Sequence, residues 1–312
     1  MGGEKGKVNT IMSKKSKRLY RISRRLTTHQ LRRLQDRELG LNSQSLFQRE
    51  GSARGSLYFL GFYSQEGVRY ALEQYGFFEH LHRLGFENLQ LSINTSDPYK
   101  QRIAVYHQEK KPENLLGEVV VKKRHVTVYP PFPTLIYGRN FEFVAVEWLC
   151  MQNPLANFSP DKPRLPGQKY PGLGMGEMVM EILTIMAGRL RTAGLLNMPE
   201  HFHNAQMYSA QFTYIDPVHE ARRLAISRDL LTENTLSKVS WAIDLDCVTE
   251  NNQPFQWSGS EQVIPLDRDL KDYFSSKDYK QFVEKTVQQL TYTLDQNKWK
   301  RKAGQIENIP SC

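Results

Sequence analysis

The chain of 312 residues lacks any long apolar run. No stretch approaches the roughly 18 consecutive apolar residues that a membrane helix needs. The basic N-terminus is not followed by the apolar segment of a secretory signal. Met1-Gly2-Gly3 begins like a myristoylation signal, but Gly6 stands where that signal needs Ser or Thr. We therefore expect a protein without a membrane span.

Cysteine is also scarce. The three cysteines are Cys150, Cys247 and Cys312, and none belongs to a C-x-x-C pair. Their number and spacing exclude a disulfide framework and a thiolate zinc site. The sequence predicts a reducing compartment, hence a cytoplasmic location, and we expect no metal cofactor.

Positive charge is concentrated at one end of the chain. The net charge is +9, but residues 1–60 carry +10 and the remainder carries −1. We predict a basic N-terminal arm over residues 1–55, partly disordered and partly helical. Such a segment attracts nucleic acid by counterion release. A solvated arm without a dedicated partner is the alternative.

The apolar pattern predicts an α/β protein of the α+β type. A helical pattern in residues 19–41 breaks near Thr27-Thr28, which can cap a second helix. Strand-like runs then follow one another without long helices between them, which is typical of an antiparallel meander. These runs are 89–93, 102–107, 115–121, 126–129 and 141–150.

The second half of the chain alternates helices and strands. We predict helices over 177–193, 204–212 and 216–231, an amphipathic segment over 281–294, and strands over 195–198 and 239–248. The last strand would place Asp244 and Asp246 on one face. The expected fold is a mostly antiparallel mixed sheet flanked by helices. Its core would span residues 56–265, followed by a helical C-terminal extension over 266–312.

A glycine-rich turn is the sharpest local feature of the sequence. Gly172, Gly174 and Gly176 follow a proline-rich loop and open the helix predicted over 177–193. Glycine lets the backbone approach a ligand closely, and a helix start offers unpaired N–H groups to a phosphate. A tight turn that serves packing alone is the alternative.

Two common phosphate motifs are excluded at this turn. Glu177 and Met178 stand where a P-loop needs Lys and then Ser or Thr. Glu177 also occupies the third glycine position of a dinucleotide fingerprint, and a loop rather than a strand precedes the turn. The turn must therefore be interpreted by its wider context.

Over roughly residues 89–215, the order of elements resembles the GNAT superfamily of N-acetyltransferases. In that family a meander and a central strand lead to a turn of pattern [Q/R]-x-x-G-x-[G/A], a helix, a strand and a helix bearing a tyrosine. Here the candidate central strand is 141–150, and the candidate turn is Lys169-Tyr170-Pro171-Gly172-Leu173-Gly174. Lys169 replaces the usual Gln or Arg. The tyrosine helix would be 205–212, with Tyr208.

The resemblance implies an acyltransferase that uses acetyl-CoA or another acyl-CoA and an amine acceptor. Backbone N–H groups of the turn would bind the pyrophosphate, and Lys169 would add a charge. Tyr208 would be the general acid, with Glu147 or His203 as the base. His201 and Asn204 would contact the acceptor. The implied acyl-CoA contacts are Lys169, Gly172, Leu173, Gly174, Met175 and Gly176.

Two other functions compete with this interpretation. The same fold can be a non-catalytic module that binds RNA or a protein through residues 1–55. Alternatively, His201 and His203, two residues apart on an extended segment, face one side and can share a metal in a hydrolase. The third ligand would come from Glu147, His125, His219 or Asp216. Trp148 is predicted to be core.

Overall fold

A seven-stranded sheet organises the protein in the computed structural model, which describes residues 14–33 and 57–304. Its strand order is β1-β2-β3-β4-β5-β9-β6. Only β4 and β5 run parallel, and all other neighbours are antiparallel. The predicted mixed, mostly antiparallel sheet flanked by helices is therefore confirmed. Predictions for residues 1–13, 34–56 and 305–312 lie outside the described residues.

The strands and helices are numbered in chain order over the described residues. The strands are β1 (Leu89–Asn94), β2 (Gln101–His107), β3 (Leu115–Val128), β4 (Arg139–Met151), β5 (Gly194–Asn197), β6 (Thr213–Tyr214), β7 (Val248–Glu250), β8 (Gln253–Pro254), β9 (Gln262–Pro265) and β10 (Tyr292–Leu294). The helices are α1 (Lys14–Ser23), α2 (Thr28–Arg32), α3 (Gln65–Tyr75), α4 (Phe77–Arg83), α5 (Gly176–Arg189), α6 (Phe202–Met207), α7 (Pro217–Leu230), α8 (Leu236–Asp244), α9 (Arg268–Ser275), α10 (Lys277–Gln289) and α11 (Gln296–Ala303). None of these helices is long and apolar enough to cross a bilayer.

Strand β4 lies at the centre of the core because its side chains are buried on both faces of the sheet. Phe143, Val144 and Ala145 are fully buried. Successive strand residues point to opposite faces. Val144 accordingly packs in the cluster formed with α1 to α5, whereas Phe143 and Ala145 pack in the cluster formed with α7, α9 and α10. The parallel partner β5 and helix α5 are positioned against this strand.

The described part of the N-terminal segment packs against the core. Thr27 caps α2 with a capping box to Gln30, which confirms the predicted break between two helices. A side chain has no room at Gly67 in α3, because a Cβ there would lie 1.9 Å from the carbonyl oxygen of Leu31. The Arg189 guanidinium of α5 donates to the carbonyl of Leu26 over 2.9 Å. Residues 14–33 are thus joined to α3 and α5.

Two predicted strand boundaries are wrong. The runs 115–121 and 126–129 form one strand, β3, because it pairs with β4 along its whole length. Residues 239–248 are not a strand: most of them belong to α8, which Thr235 caps. The alternation of apolar and acidic residues over 241–246 is too short to distinguish a strand from a helix, and Ile243 is buried beside exposed Asp244 in the helix as well. Asp244 and Asp246 therefore do not share a strand face.

The C-terminal part contains more than helices. The segment predicted over 281–294 divides into the end of α10 and strand β10. Strand β10 pairs with β7, and β7 pairs with β8, in a second sheet of three strands. The proposed division of the chain at residues 55 and 265 stays a prediction.

Candidate functional site

The parallel strands β4 and β5 separate at one end of their pairing. Their register ends at Val146 opposite Asn197, where β5 stops, while β4 continues to Met151. The side-chain oxygen of Asn197 is buried there and has no hydrogen-bond partner. Buried polar atoms are nearly always satisfied. The junction therefore offers a polar acceptor, which no sequence pattern indicated.

A β-bulge shapes β4 at the same level. Val120 faces Trp148 and Val121 faces Val146, so Glu147 is the extra residue. Bulges reorient side chains and often lie beside functional sites. Glu147 is exposed, and its carboxylate lies 3.1 Å from the Lys122 ammonium. To act as a base, Glu147 must therefore release the Lys122 ammonium and contact the substrate amine instead.

The bulge also corrects the prediction for Trp148. We expected a core residue, but the side chain is 49% exposed. The adjacent bulge interrupts the alternation of inward and outward side chains along the strand. The apolar pattern therefore does not predict which face of the sheet Trp148 occupies. Trp148 thus adds an exposed aromatic ring beside Glu147.

The glycine turn presents its backbone to solvent. Gly172 and Gly174 are exposed, whereas the side chains of Leu173 and Met175 between and after them are buried. Gly174 has φ +70°, and no atom lies within 4 Å of the position its Cβ would take. The left-handed conformation explains glycine at this position. The turn is anchored by apolar side chains and open on its backbone side.

Helix α5 begins at this turn without a side-chain cap. Met175 occupies the N-cap position and provides no hydrogen bond from its side chain. The first N–H groups of the helix and the positive end of its dipole are therefore available to an anion. One predicted donor is excluded, because the Leu173 N–H is directed at the Met151 carbonyl over 3.4 Å. Lys169, also predicted here, is exposed and lies over the ring of Tyr170, with 5.3 Å from Nζ to the ring centroid.

Tyr208 brings a hydroxyl to the start of α5. It ends helix α6, and a Cβ added to Gly176 would lie 2.6 Å from its Oη. Burial raises the pKa of Tyr208, so the hydroxyl keeps its proton at neutral pH. The structure therefore joins two residues that the sequence assigned to one site, and it explains why position 176 is glycine.

The predicted histidine pair forms a corner at the start of α6 that is closed around His203 and borders a cavity of about 240 Å³ on the side of His201. The His201 and His203 rings stack with centroids 5.4 Å apart. The pair lies at a helix start, not on the extended segment we predicted. His201 Nδ1 lies 3.0 Å from Asp244 Oδ1, and a Cβ added to Gly167 would lie 3.1 Å from His201 Nε2. Both ring nitrogens of His201 thus face protein atoms.

His203 is the more deeply buried member of the pair. Its side chain is 3% exposed, and its Nδ1 has no hydrogen-bond partner. Burial, followed by the nearby His201, lowers the pKa of His203 to about 4, so the ring is neutral at pH 7. Asn204 is half-buried and donates its backbone N–H to the His201 carbonyl over 3.1 Å. Within residues 14–33 and 57–304, no three His, Cys, Asp or Glu side chains are placed to hold a metal ion, which leaves the hydrolase interpretation without a third ligand.

Comparisons with known proteins add no relative. No protein-family model, no curated protein and no solved structure matches this chain. The function must therefore be argued from the geometry of the chain itself.

Proposed function

We propose that the protein binds an acyl-CoA thioester at the start of α5 and transfers the acyl group to an amine. The observation that carries this proposal is the contact between the Tyr208 hydroxyl and Gly176 at the uncapped start of α5. An anion site and a proton donor lie side by side there. The separation of β4 from β5 beyond Val146 supports the proposal by giving a substrate access to the same level of the sheet.

The N–H groups from Gly174 to Met178 would bind the pyrophosphate of CoA. Phosphate at a helix N-terminus is favoured by both hydrogen bonding and the dipole. Asn197 and the end of β4 beyond Val146 would hold the amides that link the pyrophosphate to the sulfur. Glu177 is exposed in the first turn of α5, so its carboxylate would repel the pyrophosphate and lower the affinity for CoA.

The reaction needs one proton acceptor and one proton donor. The amine nitrogen attacks the thioester carbonyl, the C–N bond forms and the C–S bond breaks. The amine proton passes to a base, and the leaving thiolate takes a proton from the Tyr208 hydroxyl. Glu147, which is exposed and ion-paired with Lys122, is the candidate base, because His203 is 3% exposed and burial lowers its pKa to about 4.

Ligand-induced stabilisation tests the proposal. We would titrate the protein with CoA, acetyl-CoA and longer acyl-CoAs by thermal shift and calorimetry, and compare it with Gly174→Glu. A specific ligand at a hundred times its Kd stabilises the folded state by about 2.7 kcal/mol. We expect saturable stabilisation in the wild type and its loss in the variant, because the new carboxylate lies where the phosphates bind.

Gly85→Glu is the matched control. Gly85 also has positive φ, +89°, and open space at its Cβ position, but it ends the α4 region far along the chain from the turn. It carries the same backbone strain and the same added charge, so it should bind CoA like the wild type. Absence of any stabilisation of the folded wild type at millimolar ligand would contradict the proposal.

A further inference from the structure

A polar cavity of about 240 Å³ lies between the start of α6, the end of α8 and the segment before β9. Glu200, Asp244 and Gln256 line this cavity and are exposed, so it is open to solvent. A cavity of about 150 Å³ accommodates benzene. The space is therefore large enough for a small organic molecule, which can enter directly from solvent.

Negative charge dominates the lining of the cavity. Its acidic residues are Glu200, Asp244 and Asp246, and in the described part of the chain no lysine or arginine lines it. The Lys302 ammonium, which does not line the cavity, lies 3.9 Å from Asp246 Oδ2 and offsets part of the charge of that carboxylate. Glu200 and Asp244 leave the cavity acidic, so it attracts a cation.

Two of the carboxylates have oxygens left for a ligand. Asp244 Oδ1 lies 3.0 Å from His201 Nδ1, but its second oxygen has no hydrogen-bond partner among the residues that the structure describes. The carboxylate of Glu200 likewise has no ion-pair or hydrogen-bond partner within the described ranges. A positively charged donor can therefore bind either group without breaking an existing contact.

A buried hydroxyl adds an independent sign of a ligand. Ser240 lines the cavity and is 2% exposed, and its Oγ has no hydrogen-bond partner. Buried polar atoms are nearly always satisfied. Ser240 precedes Asp244 by one turn of α8, so the two side chains are neighbours on one face of the helix. The hydroxyl and the carboxylate can thus accept hydrogen bonds from one group.

The geometry favours an organic cation over a metal ion. Across residues 14–33 and 57–304, no three His, Cys, Asp or Glu side chains are close enough to hold a metal. An ammonium group needs no such shell, because it donates three directed hydrogen bonds.

An aromatic wall is available for the carbon atoms of such a ligand. Trp257 lines the cavity, and its indole N–H donates to the Pro199 carbonyl over 3.0 Å. The Phe202 ring packs edge-on against the indole, with ring centroids 5.4 Å apart. The indole is therefore held in place, and tryptophan is the most favourable ring for a cation.

We infer that this cavity binds a small organic cation whose primary ammonium group donates hydrogen bonds to Ser240 Oγ and to the Asp244 carboxylate. The carbon chain of the ligand lies against Trp257, and Glu200 attracts a second positive charge at the opening. The site goes beyond the proposed acyl transfer and does not depend on it. His201 precedes α6 and Tyr208 follows it, so the cavity and the start of α5 lie at opposite ends of that helix.

The test uses diaminobutane, a linear chain with an ammonium group at each end. We would measure its binding to the full chain by calorimetry, in parallel with butanediol, which has hydroxyl groups at the same positions, and with calcium ions. We expect saturable binding of the diamine, and no binding of the diol or of calcium.

Two variants test the contacts of the ammonium group. Ser240→Ala should weaken diamine binding about tenfold, because a hydrogen bond to a charged group is lost. It should leave the melting temperature unchanged or raise it, since the hydroxyl has no partner in the free protein. Asp244→Asn should weaken diamine binding by at least the same factor.

Ser237→Ala is the matched control. Ser237 lies in the same helix and is 3% exposed, but it does not line the cavity, and its hydroxyl donates to the Arg164 carbonyl over 2.9 Å. Its removal should therefore lower the melting temperature and leave diamine binding unchanged. The two serine variants thus separate loss of a ligand contact from loss of stability.

Three results would overturn the inference. The first is no binding of diaminobutane to the folded wild type at millimolar concentration, or equal binding of butanediol. The second is calcium binding that Asp244→Asn abolishes, which would make the cavity a metal site. The third is an equal loss of diamine affinity in Ser237→Ala and Ser240→Ala. Because no acyl-CoA is present, none of these results bears on the proposed acyl transfer.

Discussion

The starts of helices α5 and α6 differ in what lies beside their unpaired backbone N–H groups. Neither helix has a side-chain cap. At α5 the backbone of Gly174 is exposed and has open space in front of it. At α6, His201 pairs with Asp244 and stacks on His203, and a cavity of about 240 Å³ borders His201 and Asp244. The two uncapped helix starts therefore differ in what they present: open backbone at α5, and a paired histidine side chain at α6.

The largest effect that sharpens this comparison is the pH dependence of the closed corner. Burial lowers the pKa of His203 to about 4 in the folded protein, from the 6.5 that is usual for histidine. As the pH falls below 6.5, His203 binds a proton in the unfolded chain but stays neutral in the folded chain. The contribution of His203 to stability is thus fully present above pH 6.5 and falls by about 3 kcal/mol as the pH drops towards 4. Burial raises the pKa of Glu181 to about 7, so this carboxyl contributes in the opposite direction over much of the same pH range.

Urea denaturation from pH 8 to pH 4 checks this expectation in the wild type and in His203→Asn. The stability difference between the variant and the wild type should change by about 3 kcal/mol across this range, because only the wild type carries the His203 contribution. The variant keeps the contributions of His219, whose pKa burial lowers, and of Glu181, whose pKa burial raises, so its own stability still depends on pH. Measurements at pH 8, where imidazoles are neutral in both states, give the cost of the substitution itself. An unchanged slope in His203→Asn would show that the corner is open to water.

The second effect tests the contact at the start of α5. Gly176→Ala should destabilise the protein by about 1–3 kcal/mol, because the new Cβ meets the Tyr208 hydroxyl at 2.6 Å. Gly188→Ala, in the same helix, is the control. Its Cβ would meet Leu266 at an ordinary 3.7 Å, so it should stabilise the helix by about 0.5–1 kcal/mol. Urea denaturation at pH 7.5 measures both.

Removing the Tyr208 hydroxyl should restore part of the stability that Gly176→Ala loses. Tyr208→Phe in the Gly176→Ala background deletes the atom that the new methyl group meets, so it should recover part of the lost stability. The double-mutant cycle isolates this pair. Equal costs at Gly176 and Gly188, without rescue, would mean that Tyr208 does not lie against the helix start.

The smallest expected effect concerns the ion pair of the closed corner. Asp244→Asn should cost less than about 1 kcal/mol, because His201 and Asp244 are 28% and 38% exposed and water screens the pair. Asp246→Asn removes a neighbouring carboxylate that does not contact His201, and it serves as the control. Thermal denaturation of both variants checks the prediction. A much larger loss for Asp244→Asn alone would make this pair a principal support of the corner.

Much of the fold could be predicted from local patterns. The apolar runs located β1, β2, β4 and β5 to within a few residues, because short apolar runs bounded by turn residues are typical of strands. The start of α5 was equally visible, but its predicted end was wrong: the helix ends at Arg189, not at residue 193, and Gly194 begins β5. The pattern failed for α8, because the short alternating run over 241–246 fits a strand as well as a helix segment.

The candidate site was predictable in its residue types but not in its geometry. Glycines before a helix and a tyrosine two elements later pointed to one site, and the structure brings Gly176 and Tyr208 together. Neither the bulge at Glu147 nor the separation of β4 from β5 was visible in the sequence. Both depend on strand register, which involves residues far apart in the chain.

The sequence by itself determined the open turn: three glycines supply the backbone freedom, and buried Leu173 and Met175 anchor it through local alternation. Tertiary structure alone decided that His203 is neutral, that Trp148 is exposed and that Tyr208 reaches the helix start. The physical reason is the range of the interactions. Turn and periodicity depend on neighbours along the chain, whereas burial and proximity depend on how the whole core packs.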